Sequence, residues 1–344
     1  MRRPYYASKA NCDTTDRMVK IFLLLSLAVV ATAQIRPSIG QVLRENPLID
    51  KLLGPDAKIE VLASGMAWSE GPVWVKDGGY LLFSDIPNNS VMKWSEKEGL
   101  SLFLKPSGYT GTGPYSHEPG SNALVLDSQG QMVSCEHGDR RISVLTKGGG
   151  KRTLVDNYQG KRLNSPNDLV YKSNGDLYFT DPPYGLPSPE SPLREMDYCG
   201  VFRLSKGVLT LLTKEMSRPN GLAFSPDEKT LYVANSDPDH AVWMAFPVNA
   251  DGTLGKGRVF TDVTSMVKDH PGLPDGMKID RSGNLFAAGP GGIHIYAADG
   301  KRLGRIDTGQ RTANCNWGED GSTLYITADS YLCRIRTTTK GNGW

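Results

Sequence analysis

The sequence predicts an all-β protein, a six-bladed β-propeller with a central metal site and a ring closed by an N-terminal strand. Three observations carry that expectation. The 344 residues include 38 Gly and 22 Pro spread along the chain, with 39% hydrophobic and 22% charged residues. This composition excludes disordered, collagen-like and disulfide-knot classes and suits many short strands joined by tight turns. A turn containing Gly or Asp followed by an apolar strand recurs six times. One phase of that repeat is polar in every copy.

At the start, basic residues, the apolar run Ile21 to Val30 and the small residues Ala31-Thr32-Ala33 read as a secretory signal over 1–33, cleaved before Gln34. The run is too short to span a membrane. Met18 offers a shorter start of the same leader, and a buried N-terminal helix is the competing reading. An exported mature chain, periplasmic or secreted, follows, with a net charge near −1 against +2 for the whole sequence. That balance implies no nucleic-acid partner. A small-molecule substrate and a monomer or dimer are expected.

Residues 34–56, with Pro47 and Pro55, read as a lead-in, and 57–344 as the propeller. The repeats are DGGYLLFSD, DSQGQMVSCE, SNGDLYFTD, PDEKTLYVAN, RSGNLFAAG and EDGSTLYITA. With Leu81, Met132, Leu177, Leu231, Leu285 and Leu324 equivalent, the spacings are 51, 45, 54, 54 and 39 residues, which are blade lengths. A short apolar stretch precedes most copies and another follows, without helical periodicity. A free sheet edge invites pairing with other molecules, so the last blade needs completing, and KIEVL at Lys58–Leu62 is placed to do it.

Ten or eleven residues before each aligned position stand Glu70, Asn122, Asn167, Asn220, Asp275 and Asn314. Strands at this phase line a propeller channel, so six residues far apart in sequence become a ring. Two carboxylates among amide oxygens make a poor apolar core but a good cage for one divalent cation. Calcium comes first, with Mg2+ or Mn2+ as alternatives and Zn2+ less natural without His or Cys in the ring. Singly, Asn and Asp before strands also cap turns, a reading that stays open for Asn122 and Asn314.

Cys12 falls in the leader, which leaves Cys135, Cys199, Cys315 and Cys333 without any CxxC spacing. A Cys315–Cys333 disulfide and four separate buried thiols are both open.

The segments EGPVW at Glu70, SPNDLV at Asn167, RPNGLAFSPDEKTLYVAN at Asn220 and LPDGMKID at Asp275 together resemble the gluconolactonase family that includes regucalcin, over about Gly65–Arg336. The resemblance implies a six-bladed propeller with one divalent ion, and matches Glu70, Asn167, Asn220 and Asp275 to the family's ligands. Ser165 stands where the animal members carry an Arg that touches the sugar acid, which leaves the particular substrate open. SPND, FTDPPYGL and CEHGDRR are similar to segments of bacterial lactonases of the family.

A cation held by protein oxygens can polarise a lactone or ester carbonyl, and Asp275 is then the candidate base or nucleophile. No GxSxG elbow and no nucleophilic Cys constellation is present. Asp168 could orient Asn167 from behind or merely enter a strand. His117 and His137 are candidate acid–base groups by analogy with paraoxonase-type propeller lactonases, or ordinary histidines. Arg140 and Arg141 could meet a sugar carboxylate or be solvated, and Tyr184 could line the mouth or pack. Asn122, Asn314, Arg140 and Tyr184 are thus the expected substrate-binding groups. The reading is a metal-dependent lactonase opening sugar lactones such as gluconolactone to the aldonic acid. A phosphotriester or other ester hydrolase, and a non-catalytic propeller binding sugars or proteins, are the alternatives.

Overall fold

The computed structural model describes residues 36–344; the expected leader and its cleavage site lie outside them. Six antiparallel sheets follow one another as the blades of a propeller. The first blade runs outward through Ser69–Val75, Tyr80–Asp85, Ser90–Ser95 and Gly99–Leu104. The second uses Ser121–Leu126, Met132–Glu136, Arg141–Leu145 and Lys151–Val155, and the third Leu169–Tyr171, Leu177–Asp181, Gly200–Ser205 and Val208–Thr213. The fourth uses Pro219–Phe224, Thr230–Asp237, His240–Pro247 and Arg258–Asp262.

The last two blades take strands from the other end of the chain. Met277–Ile279, Leu285–Gly289, Gly292–Tyr296 and Arg302–Asp307 are joined by Gln41–Arg44 as a fifth strand. Thr312–Gly318, Thr323–Ala328 and Tyr331–Arg336 are followed by Ile59–Ser64 and Ser38–Ile39. Between these N-terminal strands, Ile49, Leu52 and Leu53 pack into the apolar layer between the two blades. Hydrophobic burial fastens this segment as well as hydrogen bonding.

Burial falls from the inside outward. Tyr80–Asp85 and Leu177–Asp181 are buried almost throughout, whereas Gly99–Leu104 is exposed along most of its length and no residue of Lys151–Val155 is fully buried. Continuous apolar runs therefore mark the sandwiched second strands. Among the described residues no helix is long and apolar enough to cross a membrane.

Four of the six innermost strands share an irregularity beside the ring. Their ladders slip between Glu70 and Val73, Ser121 and Leu124, Pro219 and Leu222, and Thr312 and Asn314. Such bulges re-aim a side chain at the rim of a sheet. Small residues let neighbouring blades close on one another there. A Cβ on Gly71, whose φ is +54°, would lie 2.3 Å from the Asn122 carbonyl oxygen, and one on Gly221 would lie 2.3 Å from that of Asp275. On Gly276 it would lie 1.9 Å from Cγ of Asn314. Overpacking of this kind costs about 1–3 kcal/mol. Gly276→Ala is accordingly expected to lower the melting temperature by several degrees, measurable by calorimetry.

All four cysteines of the propeller are free and buried. Cys315 and Cys333 both pair across their ladders with Ile326, one on each side. Two ladder spacings separate their Cα atoms by about 10 Å, beyond the reach of a disulfide. Burial also pushes both thiols up to about 12. Reductant is expected to leave the melting temperature unchanged, and a thiol reagent to find these groups only after denaturation.

Candidate active site

Five of the six ring residues, Glu70, Asn122, Asn167, Asn220 and Asp275, line one cavity of about 450 Å³, and Tyr184 stands in its wall. The sixth, Asn314, is not in the wall. Its Nδ2 donates to Oε2 of Glu70 at 3.0 Å and lies 3.5 Å from Oδ2 of Asp168, while its own Oδ1 accepts from the Cys315 amide. Asn314 is a positioning group under the floor. The substrate contact expected of it is corrected, because its polar atoms are already engaged.

The remaining amides sort themselves by their partners. Asn220 donates its Nδ2 to Oγ of Ser236 at 3.0 Å, which leaves Oδ1 free. Among the described residues the side chain of Asn167 makes no hydrogen bond, and Oδ1 of Asp275, buried, has no partner. Glu70 spends Oε2 on Gly71 N–H and Asn314, leaving Oε1. Four oxygens on four blades are thus uncommitted at one place, a costly arrangement unless something accepts their charge.

The carboxyls register that deficit. Burial first, and Asp168 second, raise Glu70 to about 8. Asp275 is raised well above its ordinary value by burial, then by Glu70 and Asp168, and burial likewise raises Asp168. Like charges sharing a desolvated site cannot all ionise unaided. A divalent cation coordinated by Glu70, Asn167, Asn220 and Asp275 would supply the missing charge, and an all-oxygen donor set fits calcium. Among the described residues no three His, Cys, Asp or Glu are close enough to hold an ion by themselves. Any such site therefore depends on the amide oxygens.

The two histidines singled out in the sequence, His117 and His137, lie outside the cavity wall. His117 is exposed and outside the cavity wall. His137 is fully buried behind Asn122, with Nε2 3.4 Å from Asn122 Nδ2 and Nδ1 donating to the Glu118 carbonyl oxygen at 3.2 Å. Burial lowers it to about 4, so it is neutral. It orients Asn122 and does not reach the cavity. His117→Ala is expected to change stability by no more than about 0.5 kcal/mol, as for a surface side chain, which thermal melting checks.

Arg140 is also displaced from the expected place. Its own backbone is left-handed, at φ +57°, and the side chain is buried away from the channel, donating to the carbonyls of Leu163, Asn164 and Leu193. Arg141 pairs with Glu136. Asp168 is buried beneath the ring beside Asn167. Ser165 donates to the Pro182 carbonyl and accepts from Gly185 N–H, so it holds the loop bearing Tyr184.

Sequence reasoning missed Glu118, Ser236, His270 and Arg311, all in the cavity wall. Glu118 and His270 sit on loops between blades, where no periodicity marks them. The side chain of Glu118 comes within 3.6 Å of His137 Nδ1, and enclosure raises its carboxyl.

A family profile described as "SMP-30/Gluconolactonase/LRE-like region" matches residues 68–330. A gluconolactonase of Zymomonas mobilis is 43% identical over 97% of this chain and 98% of its own length. A solved gluconolactonase of Xanthomonas campestris is 32% identical with a TM-score of 0.76, over 89% of this chain and 99% of that one. A calcium-binding regucalcin structure from Agrobacterium tumefaciens has the same fold at a TM-score of 0.65 and 19% identity, over 83% of this chain and 94% of that one. The six blades, the in-phase ring and these likenesses agree that the chain belongs to the SMP-30/gluconolactonase/LRE-like family.

Proposed function

We propose that the protein is a divalent-cation-dependent lactonase that opens five- or six-membered sugar lactones, gluconolactone foremost, to the aldonic acid. The observation that carries this is the unpartnered Oδ1 of Asp275, buried in the same cavity wall as three other uncommitted oxygens. The 43% likeness to a gluconolactonase supports the substrate class.

Glu70, Asn167, Asn220 and Asp275 would hold the cation, calcium first. When bound, it supplies a Lewis acid that draws electron density from the lactone carbonyl. The Asp275 carboxylate would take a proton from the attacking water, the water oxygen bonding to the carbonyl carbon as the ring C–O bond breaks. The ring oxygen leaves as a hydroxyl and needs a proton. Glu118, the one acid of the wall besides Glu70 and Asp275, would give it. Asn122, Tyr184 and Arg311 offer hydrogen bonds to sugar hydroxyls. Direct attack by Asp275 is the variant route, and a trapped acyl-enzyme would reveal it.

A panel of gluconolactone, galactonolactone, an acyl-homoserine lactone and an aryl phosphotriester, each with calcium and with chelator, tests the reading. Preference for either of the last two defeats the sugar assignment, and turnover insensitive to chelator defeats the cation. We also propose export with cleavage after Ala33, for which the mature N-terminus should be Gln34. An intact leader in a cell-envelope fraction would count against it.

A further inference from the structure

Behind the second blade lies a separate polar cavity of about 500 Å³, walled by Tyr109, Tyr115, Arg140, Arg141, Arg162 and Asp139 among others. Arg140 is 2% exposed, yet its Nη2 is buried without a hydrogen-bond partner. The Tyr115 hydroxyl in the same wall is also buried and unpartnered. Two orphaned donors in one wall are costly, since each forfeits its hydration.

The charges around them point the same way. Burial first and the Arg162 guanidinium second lower the basicity of Arg140, so two like charges face each other. The nearby acids are largely committed. Asp139 accepts from Thr110 N–H, from its hydroxyl and from Arg141. Asp156 accepts from Asn157. Glu195 accepts the Arg162 amide and lies 3.9 Å from Nη1 of Arg140, not Nη2. The Tyr109 and Tyr115 rings stack at 4.9 Å, which closes one side with an aromatic wall.

We propose that this cavity is a seat for a small oxyanion, a carboxylate or phosphate, received by Arg140 Nη2, Arg162 and the Tyr115 hydroxyl. Guanidinium groups match such anions in shape and charge. The site goes beyond the lactonase reading and does not depend on it, because binding is read with no lactone present. It adjoins the catalytic cavity through one loop, which carries Tyr115 on this side and Glu118 on the other.

Isothermal titration of the protein with inorganic phosphate and with sodium gluconate, in buffers matched in chloride, distinguishes a free phosphate from a sugar acid. Saturable binding of either is expected, weakened about tenfold or more in Arg162→Gln, as for loss of a charge-assisted bond. Tyr115→Phe removes only an oxygen that has no partner, so it should keep the fold, checked by near-ultraviolet circular dichroism, and weaken binding severalfold. It carries the test should Arg162→Gln not fold. No binding of either anion overturns the proposal. So does binding that Tyr115→Phe leaves unaltered, since the anion would then sit elsewhere, in the catalytic cavity for example.

Discussion

Asp275→Asn is expected to lower kcat/KM on gluconolactone by about a thousandfold or more while the protein remains folded. The change keeps the size of the side chain and one oxygen but removes the carboxylate proposed above to take the proton of water. Asp275 is buried, and Glu70 and Asp168 oppose its ionisation. Removing its charge relieves that repulsion, so the melting temperature in the presence of chelator should hold or rise. Glu70→Gln separates holding the cation from catalysis: it should chiefly weaken cation affinity, and excess calcium should recover part of the rate. Normal turnover by Asp275→Asn in saturating calcium would show the base to be wrongly assigned. Because neither His117 nor His137 reaches the cavity, Glu118 would be tested next.

Removal of the cation is expected to abolish turnover and to lower the melting temperature, with calcium restoring both. A ligand that binds only the folded state adds RT ln(1 + [L]/Kd), about 2.7 kcal/mol at a hundredfold excess over Kd. The effect should also depend on pH. Without a cation, Glu70 titrates at about 8 in the fold against an ordinary 4.5, and Asp275 is shifted in the same direction. Folded carboxyls with raised values bind more protons than the unfolded chain, so their contribution is fully present below about 4.5 and is lost as pH rises through about 8. The gap in melting temperature between calcium-loaded and chelated protein should therefore widen from pH 5 to pH 8. A gap that narrows, or no chelator effect with no metal by elemental analysis, would refute the site.

Much of this was legible in the residues because a propeller repeats. The second strand of each blade is buried on both faces, so LLFSD, LYFTD and LYITA read as apolar runs at blade spacing. The ring residues stand at or just before the inner strand of each blade, and their shared phase picked out Glu70, Asn122, Asn167, Asn220, Asp275 and Asn314, of which the family resemblance matched Glu70, Asn167, Asn220 and Asp275 to ligands. Gly71, Gly221 and Gly276 each follow a ring residue because the neighbouring blade leaves no room for a Cβ. That constraint is written into EGPVW, PNGLAF and PDGMKID.

The sequence alone determined, then, the blade count and the six positions that converge. Which of those positions present a free oxygen was decided only by tertiary structure. Phase says that Asn314 belongs to the ring, but its amide turns to Glu70, 244 residues away in the chain, and ceases to be available. Asn220 keeps its oxygen because Ser236 takes its nitrogen. Glu118 enters the cavity from an aperiodic loop, whereas Arg140, with a left-handed backbone, turns toward the carbonyls of Leu163 and Leu193. Periodicity reports where a Cα falls in a repeat. The direction and hydrogen bonding of a side chain depend on partners that only ring closure brings within 3 Å or so, the ordinary length of a hydrogen bond.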